Sequence, residues 1–165
     1  MVSQNITSVL AGALAAVVVG FFAEPIKNWI NNLLEIRRLR LSLYKEIANI
    51  YINLKEIERQ INNGKINTIE TLNINIELIS TRCYSHTDNI IILFYQLPEA
   101  TDIDIIYKVL SALSPEKIQQ NSKPINTVSL LASVPKLVYI IEDFRKAKKT
   151  DRKLFEQCIA SFSPI

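Results

Sequence analysis

Side chains suited to covalent or metal chemistry are few in this chain. There is one histidine, His86, and there are two cysteines, Cys83 and Cys158. Cys83 and His86 lie three residues apart in the polar stretch Ser80-Thr81-Arg82-Cys83-Tyr84-Ser85-His86-Thr87-Asp88. On a helix that spacing puts both on one face, where an imidazole can accept a thiol proton and activate the sulfur. A metal site asks for more, because a tetrahedral centre takes four ligands and Cys158 is the only other thiol. The plainer reading is a loop between helices with a surface histidine and a buried cysteine. No phosphate loop and no catalytic motif accompany it. The expectation is a protein that is not an enzyme and holds no cofactor and no metal.

A second cluster is electrostatic. Arg145, Lys146, Lys148, Lys149, Arg152 and Lys153 stand close together with only Asp151 opposing them. Such a patch suits an anion: a nucleotide messenger, an acidic cytoplasmic protein or a membrane surface. The simpler explanation is a helix end, where cations are favoured near the C-terminal carbonyls. The net charge of +3 is too small to imply nucleic acid, and no duplex partner is expected.

The element that would position these groups begins at the N-terminus. Met1 to Ala23 carries no charged side chain. Ile6 to Ala23 approaches the ~20 apolar residues that cross a ~30 Å hydrocarbon core. A cleaved signal peptide needs a basic start, and Met1-Val2-Ser3-Gln4-Asn5 has none. The expectation is a membrane anchor over residues 1–25 and a helical domain over 26–165. Ser8, Gly12, Ala16 and Gly20 recur every fourth residue and line one side of the span, which favours close packing of membrane helices in a homo-oligomer. Lys27, Arg37 and Arg38 follow the span and are candidates for lipid headgroups, with Trp29 at the same level. By the positive-inside rule the N-terminus faces out of the inner (cytoplasmic) membrane and the rest lies in the cytoplasm. Both cysteines are then expected as free thiols.

Beyond the span the strongest pattern is a seam. Phe22, Ile26, Trp29, Leu33, Ile36, Arg40, Leu43, Ile47, Ile50, Leu54, Ile57 and Ile61 alternate in steps of four and three. This is the repeat of a coiled coil or bundle face. Arg40 alone breaks it, and Glu35, Glu46, a neighbouring chain or solvent are the partners considered. Ile36, Leu43, Ile47 and Ile50 would continue an oligomer interface, unless the chain's own later helices cover them. Pro25 predicts a kink or short break. Asn62-Asn63-Gly64-Lys65 predicts a turn.

The remaining chain reads as short helices. One runs from Thr68 to about Tyr84, opened by Asn67 with Glu70, with a strand over Leu72 to Leu78 as the rival. The apolar run Asn89 to Leu97 follows, capped at Thr87 or Asp88. The next helix is capped at Thr101 or Asp102. A long element runs from Asn126 to Lys149 with Pro135 kinking it or starting its second part, and a second membrane span over Val128 to Ile141 is its rival. Thr150 is expected to cap the last helix. The fold class is therefore all-α: a single N-terminal transmembrane helix followed by a cytoplasmic helical bundle with a long first helix. In layout the chain resembles small membrane-anchored helical proteins of bacteria, some of them partners in antiviral systems. Two functions follow. In the first, the bundle of a homo-oligomeric membrane effector senses a ligand or partner and alters the packing of the membrane helices. In the second, the span is a passive tether for a bundle that recruits a cytoplasmic protein.

Overall fold

A computed structural model describes residues 2–77, 79, 81–85, 87–113 and 127–162; the side chains of residues 2–11, 14–16, 18, 77, 88 and 89 lie outside that description. Every regular element among the described residues is helical. In chain order they are α1 (Val2–Asn62), α2 (Ile69–Glu77), α3 (Arg82–Ser85), a 3₁₀ turn (Thr87–Ile90), α4 (Ile91–Phe94), α5 (Ala100–Ala112), α6 (Thr127–Leu131), α7 (Ser133–Lys146) and α8 (Arg152–Ala160). The all-α expectation holds. The chain forms two compact units, Met1–Arg38 and Leu39–Ile165.

The described residues of the first unit, from Val2 on, are helical. Pro25 lies inside α1 and does not break it, so of the expected kink or short break the break does not occur. A helix-interior proline forfeits one backbone hydrogen bond, a local loss that the flanking turns tolerate. Among the described residues, no helix is long and apolar enough to cross a membrane. The transmembrane expectation for Ile6 to Ala23 therefore has no support from the structure, and most side chains of that segment lie outside the described residues. What the unit does display is a bare apolar face. Phe22, Ile26, Trp29, Ile30, Leu33 and Leu34 are all exposed, Trp29 by 63%.

The second unit has a closed core. Leu43, Tyr44, Ile47, Ile50 and Leu54 on α1 are fully buried, and Ile57 nearly so. Each buried aliphatic side chain contributes at most ~1.5–3 kcal/mol relative to exposure. The seam residues Leu43, Ile47 and Ile50 are therefore core positions of a single chain and are not available as an interface between chains, which corrects their place in the expected oligomer seam. The buried residues of α5 (Ile103, Ile106, Tyr107, Leu110) and α7 (Val134, Leu137, Val138, Ile141, Phe144) share this core. The rival second span is thereby overturned: the segment is split at Ala132 into α6 and α7, and its apolar face packs inward. Pro135 falls in the first turn of α7, where a missing donor costs little.

Several expected boundaries shift for identifiable reasons, and the helix expected to reach about Tyr84 ends at Glu77. Helix α1 ends as predicted, with the Lys65 amide donating to the Gln60 carbonyl and Gly64 at φ +69°, a conformation that glycine adopts without a Cβ penalty. Helix α2 is a helix and not a strand: Leu72 and Ile76 are buried while Ile74 is exposed. Its cap is Thr68, not Asn67, because Thr68 Oγ1 accepts from the Thr71 amide at 3.2 Å and Thr71 Oγ1 accepts from the Thr68 amide at 3.3 Å. The N-cap position of α5 is Glu99 and not Thr101 or Asp102, and it makes no side-chain cap, since the Glu99 carboxylate is engaged elsewhere. Helix α8 is capped by Asp151 and not by Thr150, with Asp151 Oδ1 accepting from the Leu154 amide at 3.1 Å.

Candidate functional site

Two buried polar centres hold the second unit together. The first is built around Glu99, whose side chain is fully buried at the start of α5. Arg40, one turn before Tyr44 on α1, donates from Nε to Glu99 Oε1. Tyr44 donates its hydroxyl to the same oxygen at 2.7 Å and accepts from the Asp151 amide at 3.0 Å. Arg40 Nη2 donates to the Lys149 carbonyl at 3.2 Å. The loop between α7 and α8 is thus fastened to α1 at two points. Burial pulls the Arg40 pKa down, but the bonds to Glu99 and Tyr44 outweigh it and hold the guanidinium above its ordinary value. Burial, and then the bond to Glu99, push the Tyr44 hydroxyl well above the phenol range. Among the described residues, Glu99 Oε2 and the hydroxyl of Thr150, in the loop between α7 and α8, have no hydrogen-bond partner.

This centre resolves the anomaly at Arg40. Neither Glu35 nor Glu46 takes it; Glu99 does, across 59 residues of sequence, while the side chain keeps 23% of its surface exposed. A charge at a seam position requires a buried counter-charge, and the sequence does not say which of the acidic residues supplies it.

The second centre is built around Glu46, also on α1 and buried. Its Oε2 accepts from the Cys83 amide at 2.6 Å, and its Oε1 accepts from the Tyr84 amide at 3.1 Å and the Tyr107 hydroxyl at 2.6 Å. The carboxylate thus satisfies first-turn donors of α3 from a different helix. The rings of Tyr84 and Tyr107 stack at 4.0 Å with an interplanar angle of 6°. Burial, then the Glu46 charge, push the Tyr107 hydroxyl far up. The same two causes, in the same order, push the Cys83 thiol up. That is the reverse of an activated nucleophile, which needs a thiol pKa lowered by a nearby cation or base. His86 lies outside the described residues. Among the described residues no group of three His, Cys, Asp or Glu side chains is placed to hold a metal.

The remaining candidate residues separate. Gly12 and Gly20 both have open space where a Cβ would stand, and the side chains of Ser8 and Ala16 lie outside the described residues. Lys27, Arg37 and Arg38 are exposed. The basic cluster is partly neutralised: Arg145 donates to Glu156 at 2.5 Å, and Arg152 lies 3.9 Å from the same carboxylate. Lys146, Lys148, Lys149 and Lys153 are exposed around that pair. Glu99, Tyr44 and Tyr107 are the residues that sequence reasoning missed, and Glu46 was considered only as a partner for Arg40, whereas it holds Cys83, Tyr84 and Tyr107; the one available signal was the ionic misfit of Arg40 in the seam. No protein-family model matches the chain, and neither a curated protein nor a solved structure shows similarity to it.

Proposed function

We propose that this chain is a small single-pass membrane protein, assembled as a homo-oligomer, whose helical bundle senses a ligand or partner and alters the packing of the membrane helices. The observation that supports this reading is the change of environment along one seam. From Leu43 to Ile57 the face is buried by the chain's own helices, and from Phe22 to Leu34 the same kind of face is bare. A contiguous apolar surface of that kind belongs against lipid or protein. The charge-free sequence from Met1 to Ala23 and the small-residue row Ser8, Gly12, Ala16 and Gly20 supply the membrane and packing parts of the reading. In this reading Lys27, Arg37 and Arg38 meet anionic headgroups, and the bundle lies in the cytoplasm beneath the inner membrane.

The test is the assembly state of the full-length chain in lipid nanodiscs, read by native mass spectrometry. Wild type is expected as an oligomer, and Gly12→Leu with Gly20→Leu as a monomer, because leucine blocks close backbone approach. A wild-type monomer in both detergent and nanodiscs overturns the oligomer. A passive tether is then the better reading. One observation already favours it: the second unit buries Leu43, Ile47 and Ile50 without help from another copy, so the bundle needs no oligomer to close its core.

A further inference from the structure

The basic cluster is placed by the bonds that fasten its loop. Arg40 Nη2 donates to the Lys149 carbonyl, and the Asp151 amide donates to the Tyr44 hydroxyl. Arg40 and Tyr44 belong to the first turns of α1 in the second unit, which begins at Leu39. Phe155 of α8 and Phe144 of α7 pack edge-on against the Tyr44 ring at 5.7 and 5.8 Å. The loop between α7 and α8, with the helix ends that flank it, therefore stands at the end of the second unit where α1 enters. Two other lysines lie away from that end. Lys65 closes the turn after α1, and Lys136 lies in the first turn of α7, ~15 Å of helix before Lys146.

The charges at this end are arranged for a diffuse anion. Of the nine residues 145–153 six are basic, and only Asp151 is acidic. The two arginines are taken, since Arg145 and Arg152 share Glu156. Four lysines remain, Lys146, Lys148, Lys149 and Lys153, and all four are exposed. Arg145 and Lys146 lie in the last turn of α7, where the helix carbonyls account for them. Lys153 has no such account. With Arg152 it occupies the first turn of α8, where the dipole disfavours a cation and the turn holds no acidic residue; the cap Asp151 is the one nearby offset. Lysines are point charges on flexible stems and suit a layer of headgroups. The arginine fork, which reads a single anion by two parallel bonds, is occupied here by Glu156.

We infer that this end of the second unit rests on anionic lipid headgroups through Lys148, Lys149 and Lys153. The inference rests on the membrane reading proposed above. It adds a lipid contact made by the bundle itself to the one assigned to Lys27, Arg37 and Arg38. The spacing along α1 suits it. The bare face ends at Leu34, and ~9 Å of helix separates Leu34 from Arg40. That is about one Debye length at ordinary ionic strength, so lysines held at the level of Arg40 feel the charge of a surface that meets Leu34.

The test is lysine acylation of the full-length chain with lipid nanodiscs, read residue by residue by mass spectrometry. One set of discs is phosphatidylcholine alone, and the other holds about 30% phosphatidylglycerol. Lys148, Lys149 and Lys153 are expected to react about fivefold more slowly with the anionic discs, and Lys65 and Lys136 at the same rate with both. Salt at about 1 M should abolish the difference. Lys148→Glu with Lys149→Glu should reduce the slowing at Lys153 to less than about twofold. The loop is fastened through the Lys149 carbonyl and the Asp151 amide, not through these side chains, so the variant should melt as wild type does. Equal rates at the three lysines with both discs overturn the contact, and quenching of Trp29 by brominated lipid in the same discs shows whether the membrane reading survives. Equal slowing at Lys65 and Lys136 also overturns it, because no particular end then meets the surface. Slowing by ATP with neutral discs, as large as that with anionic discs, assigns the patch to a soluble anion and overturns the lipid. Slowing confined to the three lysines with Trp29 unquenched keeps the contact and refutes the embedded α1.

Discussion

Arg40→Leu is a hydrophobic replacement at a seam position, and seam logic alone predicts a gain in stability. The structure predicts a loss. Glu99 is fully buried and takes both of its hydrogen bonds on one oxygen, from Arg40 and Tyr44. Removing Arg40 leaves a buried carboxylate with a single neutral donor and no counter-charge. Breaking a buried pair from one side costs ~3–5 kcal/mol. The Arg40 side chain is 23% exposed, so solvent screens part of the interaction, and ~2–4 kcal/mol is the expected loss. Glu99→Gln should cost less, ~1–2 kcal/mol, because the amide oxygen can still accept from Tyr44 and the freed guanidinium can reach water. Arg40→Leu combined with Glu99→Leu should cost clearly less than the sum of the single changes, with a coupling of at least ~1 kcal/mol. The assay is urea unfolding of the full-length chain, followed by circular dichroism. Stability of Arg40→Leu within ~0.5 kcal/mol of wild type would refute the reasoning, since that is the range of an ordinary surface change.

Two further outcomes follow from the buried centres. Tyr44, Tyr107 and Cys83 all have folded pKa values raised above the ordinary 10.0 and 9.0, so their protons are held more tightly in the folded state. That stability is complete at pH ~8, below the unfolded values, and is lost as pH rises from the unfolded towards the folded values, by up to ~1.4 kcal/mol per pH unit for each group; the thermal midpoint should be level up to pH ~8 and fall above it, with a shallower fall above pH 10 in Tyr107→Phe. A midpoint that is flat to pH 11 contradicts this. Glu46→Gln should cost ~1–3 kcal/mol, because an amide must turn its NH₂ towards one of the backbone donors that the carboxylate now accepts. Hydrogen exchange should quicken at Cys83 and Tyr84 before it does elsewhere, and unchanged protection there would count against the role given to Glu46.

How much of this was legible in the sequence depends on the range of the interaction. The 3.5-residue seam, the turn at Gly64 and the helix start at Pro135 are local signals, and all three appear in the fold. Capping was read one residue or more out of place at Thr68, Glu99 and Asp151: at Thr68 the choice is made locally by Thr71, and at Glu99 and Asp151 distant partners on α1 engage the residue. Asp151 caps α8 where Tyr44 holds its amide, 107 residues away. The Cys83 environment was illegible for the same reason, since its governing charge, Glu46, lies 37 residues earlier. Apart from Arg40 the seam pattern runs from Phe22 to Ile61, yet its covering begins only at Leu43. Periodicity marks an apolar face; what covers that face is a matter of tertiary packing.

The central claim is that the bare face of α1 from Phe22 to Leu34 meets a membrane. Trp29 lies on that face and is the only tryptophan of the chain, so its fluorescence reports on this surface alone. The measurement is Trp29 emission in full-length protein reconstituted in nanodiscs, with brominated lipid as the quencher from the membrane side and acrylamide from water. The account predicts blue-shifted emission that brominated lipid quenches and acrylamide barely reaches. Emission at the wavelength of a hydrated indole, quenched by acrylamide and untouched by brominated lipid, would contradict it.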